Sequence, residues 1–467
     1  MIQYFNRFKE SLIIIVTSLT IFFWDTIWHL LDIEIQIRFS IFLLAPLLIY
    51  ELTKIFNYNK KFFLIISFIL LIFFTHYLIN VYFYHFPFSK IALIKILFIS
   101  YFIIFAFIYK KIILKNLNYI IAFYVIILSS LILKDFIFNY SELKNIFYSC
   151  QPGFFWETKI VHSENSHFAM TAIPIFFYFL IKIFKDNGHI KKTLKSIDII
   201  IFTIFLFLVS FSLTLSFLIS FTLFSILIFF YLIKIKKNVL LFIVLILLNI
   251  INYQVIKNSN TCVAIDQSAY DGEIFGMSEK FENSIDGLSL MIKEIYNKKE
   301  IKINDNQKLD NNKSHDVIVP DHISRIVTKQ LSSQVYLDSF KIAFISLRNN
   351  MFGHGIDSYQ YIHEKFYKDS KYPSHVVRVK DYNQKDGSNN FSKIIVEYGV
   401  FILLIFFLFL IHYRKSKILD ENFFFLLILL FHQTFLRGAG YFNGGYLLIL
   451  TLFIFYILDE KNKKFRN

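Results

Sequence analysis

The stretch SSQVYLDSFKIAFISLRNNMFGHGIDSYQYIHEKF (residues 332–366), followed after a polar linker by DGSNNFSKIIVEYGVFILL (residues 386–404), decides how this chain is organised. It is the ordered end of the one long polar segment, and it runs into an apolar stretch of membrane length. Leu337, Phe340, Phe344 and Leu347 recur at helical spacing while Asp338, Lys341 and Arg348 mark another face, which predicts a helix lying on a membrane surface or on a helical bundle. Gly353-His354-Gly355 predicts a turn that bulkier residues would resist. Asp357 to Phe366 reads as a second short amphipathic helix. Glu397 then stands at the start of an apolar helix, two residues before Gly399.

Working outward, the chain has 467 residues, is 56% hydrophobic with a mean hydropathy of +0.54, and carries 60 Phe, more apolar surface than a soluble core can hide. Apolar runs of roughly 15 to 22 residues, the length that crosses about 30 Å of hydrocarbon, predict an all-α polytopic membrane protein with about twelve transmembrane helices. They fall near 11–30, 36–52, 62–82, 91–109, 117–133, 168–184, 197–212, 217–233, 238–252, 397–413, 422–436 and 444–458. Residues 1–252 hold nine spans and 397–467 three. Between them lies a large loop, 253–396, whose first part, 253–330, is polar, without apolar periodicity, and expected to be flexible, and whose second part, 331–396, is expected to be ordered.

Lys and Arg cluster in alternate short loops and in both tails, which places both termini in the cytoplasm and the large loop on the outer, periplasmic side of a bacterial inner membrane. The net charge of +15 is this topology signal spread over seven segments, so no nucleic-acid partner is expected. The first span, with Asp25 and His29 and no small-residue cleavage site, reads as a retained signal-anchor. Cys150 and Cys262 both fall in outer loops, where either a disulfide or two free thiols would fit.

Arg38 starts the second span on the outer side and either snorkels to headgroups or faces a site. His162, Glu164 and His167 near the start of the sixth span invite a metal reading, but no further ligands follow at recognisable spacing, so no metal is expected and a role in binding a polar substrate stays open. Eight of the 13 glycines come after residue 350, which puts the specified shape on the outer face. No phosphate-binding glycine loop, nucleophile elbow, zinc-protease helix or dinucleotide fingerprint occurs. An outer-facing site with cations, a few His and carboxylates, and a membrane bundle beside it suits a lipid-linked substrate with an anionic head.

Three pieces, the hairpin LTLS (Leu213 to Ser216), NNMFGHGIDSY (Asn349 to Tyr359) and SNNFSKIIVEYGVFILL (Ser388 to Leu404), together resemble the bacterial O-antigen polymerase and ligase superfamily of integral membrane glycosyltransferases. Ser388 stands where the ligase branch has a His, and Phe217 where many members have an Arg, so the polymerase branch is favoured. The resemblance implies transfer of a glycan from undecaprenyl pyrophosphate to a sugar hydroxyl on a second lipid-linked repeat unit. No cofactor is expected, and a chain-length regulator and a flippase of the same pathway are the implied protein partners. Cations would stabilise the leaving pyrophosphate; Arg437, Arg348 and Arg378 are the candidates, with Arg38 behind them. One base would take the acceptor proton, and Glu397, His354 and His375 compete for it.

Bland readings stand beside these. Glu397 fits a helix-end carboxylate paired with Lys393, Asn389 and Asn390 fit a helix cap as well as sugar contacts, and Tyr441 fits an interfacial anchor as well as a sugar platform. The rival functions are a ligase moving glycan onto lipid A core or protein and, in another class, a lipid-linked oligosaccharide flippase or transporter.

Overall fold

The computed structural model describes residues 2–23, 45–46, 48–49, 51, 60–83, 85–138, 165–185, 201, 203–205, 215–234, 243, 246–247, 250, 331–369, 384, 387–402, 421–436, 440 and 444–464. These residues are 88% helix with no strand among them. The helices are α1 (Ile2–Phe22), α2 (Lys60–Phe83), α3 (Lys90–Lys115), α4 (Leu117–Phe138), α5 (Asn165–Lys185), α6 (Leu215–Lys234), α7 (Leu331–Asn349), α8 (Tyr359–Asp369), α9 (Asn390–Tyr398), α10 (Glu421–Phe435) and α11 (Gly444–Lys464). Of these, α2 to α6, α10 and α11 coincide with expected spans. Helix α1 begins well before residue 11, and most of the expected spans at 36–52, 197–212, 238–252 and 397–413 lies outside the described residues. Among the described residues, one helix, α3, is long and apolar enough by length and composition to cross a bilayer.

The main core is built by α1, α3, α4, α5, α6, α10 and α11 around large side chains such as Phe22, Phe105, Tyr124, Phe176 and Phe177. Phe22 stacks on Tyr124 with ring centroids 4.4 Å apart, and Phe177 meets Phe224 at 4.4 Å, so aromatic rings join α1 to α4 and α5 to α6. The outward faces are apolar too. Leu64, Phe68 and Leu71 of α2, Leu97 of α3, Ile126 and Leu133 of α4 and Phe230 of α6 are all exposed.

Polar contacts sort to two ends. At one, Lys9 of α1 pairs with Glu51, and Glu10 accepts from Asn116 (2.7 Å) and Lys115 (3.0 Å) at the junction of α3 and α4. At the other, the α2–α3 connection, the segment 350–358, α9, the starts of α5 and α11 and the end of α10 come together. All of these segments were expected on the outer side.

Pro174 shows how sequence sets that second end. Lacking an N–H, it leaves the carbonyl of Met170, four residues back, without its helical partner. The Gln433 amide of α10 supplies the missing hydrogen bond at 2.8 Å. Gly445 lets α11 come close at the same place, where a side chain would meet the Met170 carbonyl at 2.8 Å.

Helix α7 differs from expectation. Its buried face is Val335, Asp338, Ser339, Ile342, Ala343 and Ser346, whereas Phe344 is exposed. Two of these three polar residues meet polar partners there: Ser339 meets Asn389 and Ser392 at the start of α9, and Asp338 accepts from the Tyr367 hydroxyl of α8 at 2.9 Å.

Candidate active site

Helix α9 is nine residues long, and Asn390, Ser392, Lys393, Ile395, Val396 and Glu397 are all buried in it. Asn389 is its N-cap: the side-chain oxygen accepts from the Ser392 N–H at 2.7 Å, and the amide donates to the Ser339 hydroxyl of α7 at 2.7 Å. The Ser392 hydroxyl reaches Ser339 as well, at 3.3 Å. One buried hydroxyl thus ties the start of α9 to the polar face of α7. Asn389→Ala removes both the cap and one of the buried partners of Ser339, and should cost about 1–2 kcal/mol in the unfolding of the purified protein. Asn389→Ser keeps the cap and should recover roughly half of that.

At its other end α9 breaks at Gly399, whose φ of 57° and ψ of −143° suit only glycine. The break leaves carbonyls at the helix end without helical partners, and the glycine turn satisfies two of them. The His354 N–H donates to the Val396 carbonyl at 2.8 Å and the Gly355 N–H to the Glu397 carbonyl at 2.9 Å, while the Val400 N–H donates back to Met351 at 2.9 Å. The two motifs read from the sequence, NNMFGHGIDSY and SNNFSKIIVEYG, are therefore one hydrogen-bonded unit. Glu397 is fully buried in it, with Lys393 one helical turn away on the same face and also buried.

The hairpin of α2 and α3 clamps the turn from the opposite side. His76 donates to the Phe352 carbonyl at 2.8 Å, and Asn80 accepts from the Asn350 amide at 3.4 Å. Asp357, held at a φ of 68°, pairs with Lys95 and accepts from the Ser89 hydroxyl at 3.1 Å. The His354 ring lies against Phe86 with centroids 5.1 Å apart, and neither of its buried nitrogens has a hydrogen-bond partner. Burial pushes its pKa down to about 4; Lys365 and His76 act in the same direction, and the nearby Ser346 carbonyl opposes them without reaching hydrogen-bonding geometry.

His354 is therefore neutral at neutral pH and a weak base. Its folded pKa lies below the ordinary value of about 6.5, so the unfolded chain takes up the proton first. The stability gained from a neutral buried ring is complete above about pH 6.5 and is lost as pH falls toward about 4. The unfolding temperature of the wild type should drop more steeply over that window than that of His354→Gln, and equal slopes would remove His354 as the cause.

From α9 the polar contacts continue into the bundle. The Asn390 amide donates to the Gln433 carbonyl at 2.9 Å, so Asn390 is not the cap. His432 lies 2.6 Å from the Ser220 hydroxyl of α6, a pair that resembles a nucleophile and its base. The Gln433 amide, however, donates to His432 Nδ1 at 3.3 Å, which places the ring proton on Nε2, toward Ser220. In that tautomer His432 donates to the serine and does not activate it.

Of the residues expected at the site, the structure brings together Glu397, His354, Asn389 and Asn390. Against expectation, Glu397 does not begin a span: it lies in the last turn of the short helix α9, just before its final residue Tyr398, and its carbonyl accepts from the Gly355 N–H. Arg348 closes α7 as expected but is exposed. His167 is buried in the first turns of α5. His375, Arg378, Arg437, Arg38, Tyr441 and Glu164, together with Cys150 and Cys262, lie outside the described residues. Sequence reasoning passed over Asn80, His76, His432 and Gln433, whose signal was available, since each is a polar side chain inside an otherwise apolar helix. Among the described residues no group of three or more His, Cys, Asp or Glu gathers to hold a metal ion.

Comparison with known protein families, with curated proteins and with solved structures gives no match.

Proposed function

We propose that this chain is an integral membrane glycosyltransferase of the polymerase type, with about twelve transmembrane helices. It would transfer a glycan from undecaprenyl pyrophosphate to a lipid-linked repeat unit at the periplasmic face of the bacterial inner membrane. The observation that supports this best is the joining of two sequence-distant motifs into one buried unit that holds Glu397 beside the glycine turn. Apolar outward faces on α2, α3, α4 and α6 support the membrane setting.

In this reading Glu397 is the base. Its side chain is fully buried beside the glycine turn, and as the base it would take the proton of the acceptor hydroxyl. His354 contributes shape more than basicity, because its pKa of about 4 is far below the working range of a base. The pyrophosphate leaves without help from an acid, and Arg437 and Arg378, with Arg348 and Arg38, are the cations proposed to hold it.

The test is deletion of the gene in its source bacterium, complementation with the wild type, and resolution of the surface glycans on a gel. Loss of the long ladder with one repeat unit still on the core is expected. Loss of every repeat from the core, with polymer accumulating on its lipid carrier, would make the protein a ligase, and an unchanged ladder would overturn both and favour a transporter.

A further inference from the structure

The glycine turn carries an apolar surface with no partner among the described residues. Phe344 and Ile345 of α7, Met351 and Phe352 of the turn and Phe401 after α9 are all exposed, and Phe352 and Phe401 pack together at 5.3 Å. Its level along α2 is fixed by the hydrogen bond from His76 to the Phe352 carbonyl and by the contact of Phe73 with Tyr398 at 5.6 Å. His76 lies seven residues before the end of α2, about 10 Å along the axis at 1.5 Å per residue. Around that level α2 exposes Leu71, Ile72 and Phe74. The turn therefore sits beside the apolar flank of α2 and below its end, whereas His354 has already risen to Phe86 in the α2–α3 connection.

Irregular backbone can lie at such a depth only if its polar groups are satisfied within the protein. Seven main-chain groups of this turn are. The N–H groups of Phe352, Gly353, His354 and Gly355 donate to Asn350 Oδ1, the Asn350 carbonyl, Val396 and Glu397. The carbonyls of Met351, Phe352 and Gly353 accept from Val400, His76 and the Asn350 amide. A surface loop would have water for these partners and would have no need of two asparagines and a histidine.

We infer that residues 351–353 with the exposed edge of α7 form a re-entrant element seated in the acyl-chain region of the outer leaflet, and that its partner is the lipid bilayer itself. Exposed Arg348 on α7 matches anionic headgroups at the rim of that surface, beside half-exposed Lys341, which pairs with Asp338 at 3.4 Å. This rests on the membrane reading proposed above and deepens it, because a lipid-linked donor would then reach the turn sideways, from within the leaflet.

The test places a fluorophore on Phe344→Cys and, separately, on Phe352→Cys in a background with Cys150→Ser and Cys262→Ser. Leu97→Cys on the exposed face of α3 is the control. The proteins are held in nanodiscs of phosphatidylcholine and phosphatidylglycerol, and quenching by lipids with a nitroxide on the acyl chain is compared with quenching by iodide in water. Loss of most of the fluorescence to the lipid nitroxide at Phe344 and Phe352, as at Leu97, is expected. Quenching by iodide alone at both sites, with Leu97 still quenched by lipid, overturns this inference and leaves the membrane reading intact. Failure of the lipid nitroxide to quench at Leu97 overturns both. Phe344 lies on a helix surface, so its variant should fold even if the Phe352 variant does not.

Discussion

Gly399→Ala should leave little folded protein. A methyl group at this position would lie 2.1 Å from the Met351 carbonyl oxygen and 2.5 Å from the Gly353 nitrogen, both main-chain atoms that no side-chain rotation can move aside. The Met351 carbonyl accepts from the Val400 N–H, so relieving the clash breaks a hydrogen bond that closes the turn against α9. Added to this is the cost of holding alanine at a φ of 57° and ψ of −143°. Backbone strain and overpacking together should cost about 4 kcal/mol or more, a large part of the 5–15 kcal/mol that holds most proteins folded. Gly353→Ala meets Glu397, Tyr398 and Gly399 main-chain atoms at 2.5 to 2.6 Å and should behave alike. Gly355→Ala meets only the Asn80 side chain, at 3.5 Å, so strain at its φ of 93° remains and the cost should be about 1–2 kcal/mol. Unfolding temperatures and yields in detergent test this order. A Gly399→Ala protein as stable as the wild type would mean that the turn does not press on α9.

How much of this was legible beforehand follows from what kind of signal each feature leaves. Helices α2 to α6, α10 and α11 fall close to the expected spans because a long apolar run between charged loops is a local signal. The Gly353-His354-Gly355 turn and the Asn389 cap are local in the same sense, since a positive φ or an orphaned helix N–H selects a residue type whatever lies around it. The face of α7 was misread because apolar periodicity assumes an apolar partner. Here the partner of Ser339 is the polar start of α9 and that of Asp338 is the Tyr367 hydroxyl of α8, and with this face inward Phe344 is left out. No periodicity within α7 records that, since the partners lie 29 to 53 residues away, at Tyr367, Asn389 and Ser392. Glu397 was placed at the head of a span for a related reason. Hydropathy marks where apolar residues begin, whereas the helix ends where the glycine turn takes up its last carbonyls.

Glu397→Gln should abolish long glycan chains while leaving the protein folded. Glutamine matches glutamate in shape, and the substitution keeps the main-chain hydrogen bond from Gly355 to this residue's carbonyl. What is removed is the capacity to accept a proton in a fully buried position. General-base catalysis supplies about 10²–10⁴-fold in rate, so polymerisation should fall at least about a hundredfold, enough to collapse a ladder to its shortest rungs. The measurement is the glycan ladder of the deletion strain complemented with Glu397→Gln, read beside the amount and unfolding temperature of the variant. Glu397→Asp, which keeps the carboxylate but withdraws it by one methylene, should recover part of the ladder if the group acts chemically. A purely packing role predicts the reverse order, with the isosteric glutamine nearly wild type and the shorter aspartate defective, since shortening opens a cavity in a buried unit; a structural pairing with buried Lys393 would show instead as a lower yield and unfolding temperature of Glu397→Gln. The two substitutions thus pull apart a base from a buttress.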